Sequence, residues 1–74
     1  MTEFRNDLLM RVFDQIAFLT ARLAGLKAMG LMDQAFRDLE NLEQEAGKLD
    51  PADHEKVQAS LADLRTTVER SDHS

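Results

Sequence analysis

The segment from residue 3 to residue 29 carries more apolar side chains than one face of a helix can hold. Six of them recur at alternating spacings of three and four residues, namely Leu9, Val12, Ile16, Leu19, Leu23 and Leu26. This heptad spacing predicts a helix with an apolar seam that packs against other helices. The remaining large apolar side chains of the segment lie outside the seam: Phe4, Leu8, Met10, Phe13, Phe18 and Met29. A helix that is apolar over most of its circumference must be covered on more than one side. We therefore expect it to be the central helix of the fold, a subunit interface, or both.

Two further helices are predicted, over residues 32–46 and 51–69, and each has a single apolar stripe. Gly30 and Gly47 follow the first and second helices, where glycine commonly ends a helix. Asp50 and Pro51 have the residue types of a helix N-cap and first position. The stripe of the second helix contains Met32, Ala35, Leu39, Leu42 and Ala46, and that of the third contains Val57, Leu61, Leu64 and Val68.

These elements predict an all-α fold, a three-helix antiparallel bundle in one domain over residues 1–70. Short connections make consecutive helices antiparallel neighbours, so helices one and two form a hairpin that helix three caps. Residues 71–74 contain no apolar side chain, and we expect them to be a disordered tail. Gly25 lies inside the first helix. It is either a tolerated weak position or a point where another backbone approaches closely.

Composition excludes several classes of function. The chain of 74 residues has no cysteine and a net charge of −5, which argues against disulfides, thiolate metal sites and binding of nucleic acid. The first residues lack the basic region of a secretory signal, and no uncharged stretch approaches the roughly 20 residues of a membrane-spanning helix. We therefore expect a soluble, cytoplasmic protein with neither a nucleic-acid nor a membrane partner.

No catalytic motif is present, so we expect no catalytic, cofactor-binding or metal-binding residues and no enzyme activity. His54 has the acidic residues Asp50, Asp53 and Glu55 beside it in sequence, and a metal or acid–base site at His54 is a third hypothesis for the function. A lone histidine has no second ligand at a metal-binding spacing. A half-buried histidine near the start of the third helix is therefore the favoured interpretation.

Residues 19–51 resemble one tetratricopeptide-like helix pair. The resemblance rests on a turn glycine, a small residue five positions later, two leucines and a terminal proline, namely Gly30, Ala35, Leu39, Leu42 and Pro51. It implies a helical hairpin. The segment from Asp7 to Arg11, with Gln15 and Ile16 following, is similar to the start of small uncharacterised bacterial helical proteins. That similarity implies a bacterial source and no particular activity.

The surplus apolar surface of the first helix leads to our functional expectation. We expect the seam, together with Phe13, to be covered by the second and third helices. Phe4, Leu8 and Phe18 then remain for a second chain, because exposed apolar patches on soluble proteins mark interfaces. This predicts a homodimer with the first helix facing its copy, and a role in protein–protein interaction or oligomerisation. A peptide- or helix-binding module with an apolar groove beside the first helix is the alternative.

Overall fold

The computed structural model describes the backbone of residues 2–73 and the side chains of residues 7–73. It contains three helices, α1 (Thr2–Ala28), α2 (Met32–Ala46) and α3 (Pro51–His73), and no strand in the described part of the chain. Every helix packs against both others. The molecule measures 42 × 16 × 15 Å, so its length is set by α1, whose 27 residues span about 40 Å. The predicted all-α three-helix bundle is confirmed.

The core is built from the three predicted stripes. Val12, Leu19, Leu23 and Leu26 of α1 are buried, while Leu9 and Ile16 of the same seam are half-buried against them. The buried residues of α2 are Ala35, Leu39, Leu42 and Ala46, and those of α3 are Val57, Leu61, Leu64 and Val68. Leu49, in the second connection, completes this cluster. Because α2 and α3 each have one stripe, together they cover one side of α1 and no more.

The turn after α1 is closed by a left-handed glycine. Gly30 has a φ of 72°, and its N–H donates to the Lys27 carbonyl at 3.1 Å. The next N–H, of Leu31, donates to the Leu26 carbonyl at 2.8 Å. This pair of hydrogen bonds is the Schellman motif, which satisfies carbonyls left free at the helix end. Gly47, after α2, has an ordinary right-handed conformation instead, with φ −65° and ψ −16°.

The third helix is longer than predicted. It continues to His73 rather than ending near residue 69, so the prediction of a disordered tail from residue 71 is wrong for residues 71–73; Ser74 lies outside the described residues. Lys27 of α1 donates a hydrogen bond from Nζ to the Ser71 carbonyl. Arg70 and His73 occupy the last turn, where positive charge suits the helix dipole.

Gly30→Ala is expected to lower the free energy of unfolding by about 1 kcal/mol, because an alanine at this φ pays the cost of the left-handed conformation. A Cβ at Gly30 would meet no atom within 4 Å, so a clash adds nothing to this cost. Gly47→Ala is the comparison: alanine adopts that φ and ψ freely, but its Cβ would lie 3.3 Å from the Gln44 carbonyl oxygen, so we expect a loss smaller than that of Gly30→Ala. Urea unfolding of both variants at one protein concentration gives the measurement. Equal losses would contradict the assigned turn.

Leu19→Asp is expected to abolish the native far-UV circular dichroism signal. Leu19 is 1% exposed, and an unpaired buried charge costs several kcal/mol. A domain of this length has a total stability of about 4–11 kcal/mol. Ala62→Asp, which adds the same charge at an exposed position of α3, should leave the signal unchanged. A native spectrum for Leu19→Asp would show that the core is misassigned.

Candidate interface on the first helix

The three residues predicted for an interface have different surroundings in the structure. Phe18 is 62% exposed. Leu8 is half-buried and packs against the core cluster, because it lies four residues before Val12 and shares its side of the helix. The side chain of Phe4 lies outside the described residues. The use of these residues by a partner stays a prediction, and Phe18 offers it the most described surface.

Phe13 is more exposed than predicted. The sequence assigned it to the surface covered by α2 and α3, but 38% of it remains exposed. The prediction that Phe13 is covered is therefore wrong. Successive residues of an α-helix are 100° apart, so Phe13 lies on the flank of the seam that contains Val12.

The side of α1 that faces away from α2 and α3 is uncharged over three turns. Its exposed residues, which we call the outer face, are Ala17, Phe18, Ala21, Gly25, Ala28 and Met29. Phe18 and Met29 are its large side chains, 62% and 68% exposed. The preceding turns of the same side carry the charged residues Asp7, Arg11 and Asp14 beside the exposed Met10. This side of α1 is thus charged toward the N-terminus and apolar over the outer face.

Phe18 is held in place by a chain of contacts to α2. The guanidinium carbon of Arg22 lies 5.2 Å from the centroid of the Phe18 ring, within the range of a cation–π interaction. Arg22 Nη1 donates to Asp38 Oδ2 at 3.2 Å, and Gln34 Nε2 donates to Asp38 Oδ1 at 3.1 Å. A partly exposed ion pair of this kind contributes about 0–1 kcal/mol to stability. Its effect here is to favour the orientation in which the Phe18 ring lies against Arg22.

Two shallow depressions lie on the exposed surface of α1. One, of about 260 Å³, lies over Gly25 and is lined by Ala21, Arg22, Gly25, Leu26 and Met29. The other, of about 280 Å³, lies between α1 and α2, and its lining includes Phe18, Leu19, Arg22, Asp38 and Leu42. A Cβ at Gly25 would meet no atom within 4 Å. No backbone of the same chain approaches there, so close approach at Gly25 is possible only for a second molecule.

The surface shared by α2 and α3 has a different character, because its charges are paired. Arg65 of α3 binds Glu43 of α2 with two hydrogen bonds, of 2.7 and 3.0 Å. These bonds and the negative charge of Glu43 raise the pKa of Arg65. Lys48 lies 2.9 Å from Glu45 and lowers the pKa of that carboxyl, chiefly by hydrogen bonding. A wide depression of about 730 Å³ beside Phe36 is lined otherwise by the polar residues Thr66, Glu69, Arg70 and His73.

His54 lies in the first turn of α3 and is half-buried, as predicted for a structural histidine. Its backbone N–H donates to the Asp50 carbonyl at 2.8 Å. Across residues 7–73, no three histidine, cysteine, aspartate or glutamate side chains come together as possible metal ligands. No helix in the described part of the chain is long and apolar enough to cross a membrane.

Phe18, Met29 and Gly25 were identified separately from the sequence but were not grouped with Ala17 and Ala21 as one face. The signal was present as small residues spaced four apart, at Ala17, Ala21 and Gly25, a pattern that allows helices to approach closely. The depression over Gly25 carries no such signal, because it depends on the positions of Arg22 and Met29.

Comparison of the chain with protein-family models, with curated proteins and with solved structures finds no match. The resemblances to a tetratricopeptide-like pair and to small bacterial helical proteins therefore rest on the quoted residues alone. A functional proposal for this chain therefore rests on the outer face of α1.

Proposed function

We propose that this protein is a non-enzymatic protein–protein interaction module that forms a homodimer through the outer face of α1. The observation that carries the proposal is the uncharged surface from Ala17 to Met29, with Phe18 and Met29 both more than half exposed. Large apolar side chains grouped on one exposed face are typical of interfaces. Phe18 also has the features of an interface anchor, since it is aromatic and already oriented by Arg22.

The size of the chain supports the need for a partner. A domain of about 60 residues buries only about 60% of the surface that its unfolded chain exposes, so its stability is marginal. Domains this small are often stabilised by disulfides, metals or oligomerisation, and this chain of 74 residues has no cysteine. A second chain on α1 would supply the missing stabilisation.

The biological setting of the proposal is a bacterial cytoplasm. The bacterial source is supported by the resemblance of residues 7–16, and a reducing compartment by the cysteine-free composition. In this setting the dimer acts as a small scaffold or as a regulatory partner of another protein.

A peptide- or helix-binding module is the second candidate, and the depression between α1 and α2 favours it. That depression has about 280 Å³ and both apolar and polar lining residues, including Leu19 and Asn41. Its volume falls just below the range of about 300–1,000 Å³ for small-molecule sites. Part of an extended apolar segment would fit better. The oligomeric state distinguishes the two candidate functions, because a tight dimer that covers Phe18 also covers one wall of this depression.

Light scattering after size exclusion should give a mass about twice the 8.4 kDa of one chain at micromolar concentration. The mass should fall toward that of one chain on dilution, because association follows mass action. If the chain stays monomeric from micromolar concentration up to about 100 times that concentration, the homodimer is contradicted. The depression proposed for the second candidate would then remain open.

Phe18→Asp is expected to weaken the dimer at least about a hundredfold. Each copy loses the burial of one aromatic side chain, worth about 1.5–3 kcal/mol, and 1.4 kcal/mol corresponds to a factor of ten. The helical signal should persist, because Phe18 lies outside the core. Ala62→Asp is the control for added charge and should leave the dissociation constant unchanged. A dimer of unchanged affinity in Phe18→Asp would place the interface elsewhere.

A further inference from the structure

The outer face of α1 has a projecting side chain, Phe18, which we call the knob, and a depression over Gly25, which we call the hollow. Both lie on the same side of the helix. Phe18 projects from it as a large side chain. Gly25 lies seven residues later, at the depression of about 260 Å³ between Arg22 and Met29. Seven residues are two helical turns, so knob and hollow lie in line about 10 Å apart. No other part of the chain fills the hollow, since no atom outside the adjoining stretch of α1 lies within 4 Å of a Cβ built on Gly25.

From this arrangement we infer that the occupant of the outer face is a second copy of α1 running antiparallel, with Phe18 of each copy seated over Gly25 of the other. The inference rests on the proposed homodimer and adds its orientation and register. In a two-fold dimer, if residue i contacts residue j of the partner, then j contacts i. A knob and a hollow on one stripe satisfy this rule in an antiparallel pair, with the two-fold axis level with Ala21 and Arg22. The two Arg22 side chains then lie near the axis, where each is paired with Asp38 of its own chain at 3.2 Å.

The small residues of the outer face fit this register. Ala21 lies next to the axis, where the two helices approach most closely, and its small side chain permits that approach. Ala17 and Ala28 lie on one side of the helix, at similar distances from the axis but in opposite directions. In the antiparallel pair, Ala17 of one copy is therefore opposite Ala28 of the other, within about 3 Å along the helix axis.

Charge favours the antiparallel orientation at the N-terminal end of α1. Asp7, Arg11 and Asp14 are exposed there, on the same side of the helix as the outer face. A parallel pair in register would set each of these charged side chains against its own copy, and like charges across an interface are unfavourable. In the antiparallel pair the two Asp14 residues are about 22 Å apart, beyond the Debye length of about 8 Å at physiological salt. Parallel pairing would also set the two Gly25 hollows face to face and leave both unfilled.

Cysteine cross-linking tests the orientation directly, because the natural chain has no cysteine. Ala17→Cys and Ala28→Cys are prepared separately, mixed under reducing conditions and then oxidised. A disulfide needs Cα atoms within about 7 Å. The expected product joins Cys at 17 to Cys at 28, whereas each variant alone stays unlinked, since its two copies are about 14 and 20 Å apart along the axis. Ala17→Cys mixed with Ala62→Cys of α3 is the control and should give no product.

Gly25→Leu tests the register. The added side chain fills the hollow, so the dissociation constant should rise at least tenfold. The monomer should become more resistant to unfolding, because leucine favours a helix more than glycine does. Ala62→Leu, at an exposed position of α3, should leave the dissociation constant unchanged. A dimer of unchanged affinity in Gly25→Leu would overturn the seating of Phe18 over Gly25.

The outcomes separate this inference from the proposed function. Light scattering of both cysteine variants before oxidation shows whether a dimer exists. A monomer there overturns the homodimer and the orientation together. A dimer whose variants cross-link each with itself, at 17 or at 28, overturns the antiparallel orientation and leaves the homodimer standing.

Discussion

The fold depends on one long helix that has apolar side chains on more than one side. α1 spans about 40 Å and contributes Val12, Leu19, Leu23 and Leu26 to the core. α2 and α3 each bring a single buried stripe, and both lie against this seam. Together they leave the opposite side of α1 uncovered. Two one-stripe helices can bury one side of a third helix, and the opposite side needs another molecule or faces water.

Polar contacts at the edges of α1 keep the uncovered side in a defined shape. The Schellman turn at Gly30 ends α1 and directs the chain back along it. Asp38 of α2 holds Arg22, and Arg22 lies against the Phe18 ring. These contacts are worth about 0–1 kcal/mol, which favours one orientation of the aromatic side chain before a partner binds. A fixed side chain loses less conformational entropy on binding, so the contacts favour association.

Local patterns in the sequence predicted most of the fold. The predicted bounds of α2 were correct, because its apolar stripe of period 3.6 ends just before Gly47. The stripe and the glycine both depend only on residues that are close in sequence. The end of α3 was missed because the hydrogen bond from Lys27 to Ser71 joins residues that are distant in sequence. Leu8 is more buried and Phe13 more exposed than predicted, because both lie near the edge of the seam, where a small rotation of the helix changes burial. Phe18 was identified as surplus, but the hollow over Gly25 depends on side-chain positions that no pattern contains.

The most direct test of a second copy on the outer face is an isotope-filtered nuclear Overhauser experiment. Carbon-13-labelled and unlabelled chains are mixed, so that only contacts between two chains are observed. We expect signals from the Phe18 ring protons to the Ala21 and Met29 methyl groups of the other chain. At a concentration where light scattering shows two chains, signals confined to residues of α2 or α3, or none from Phe18, would contradict an interface on α1.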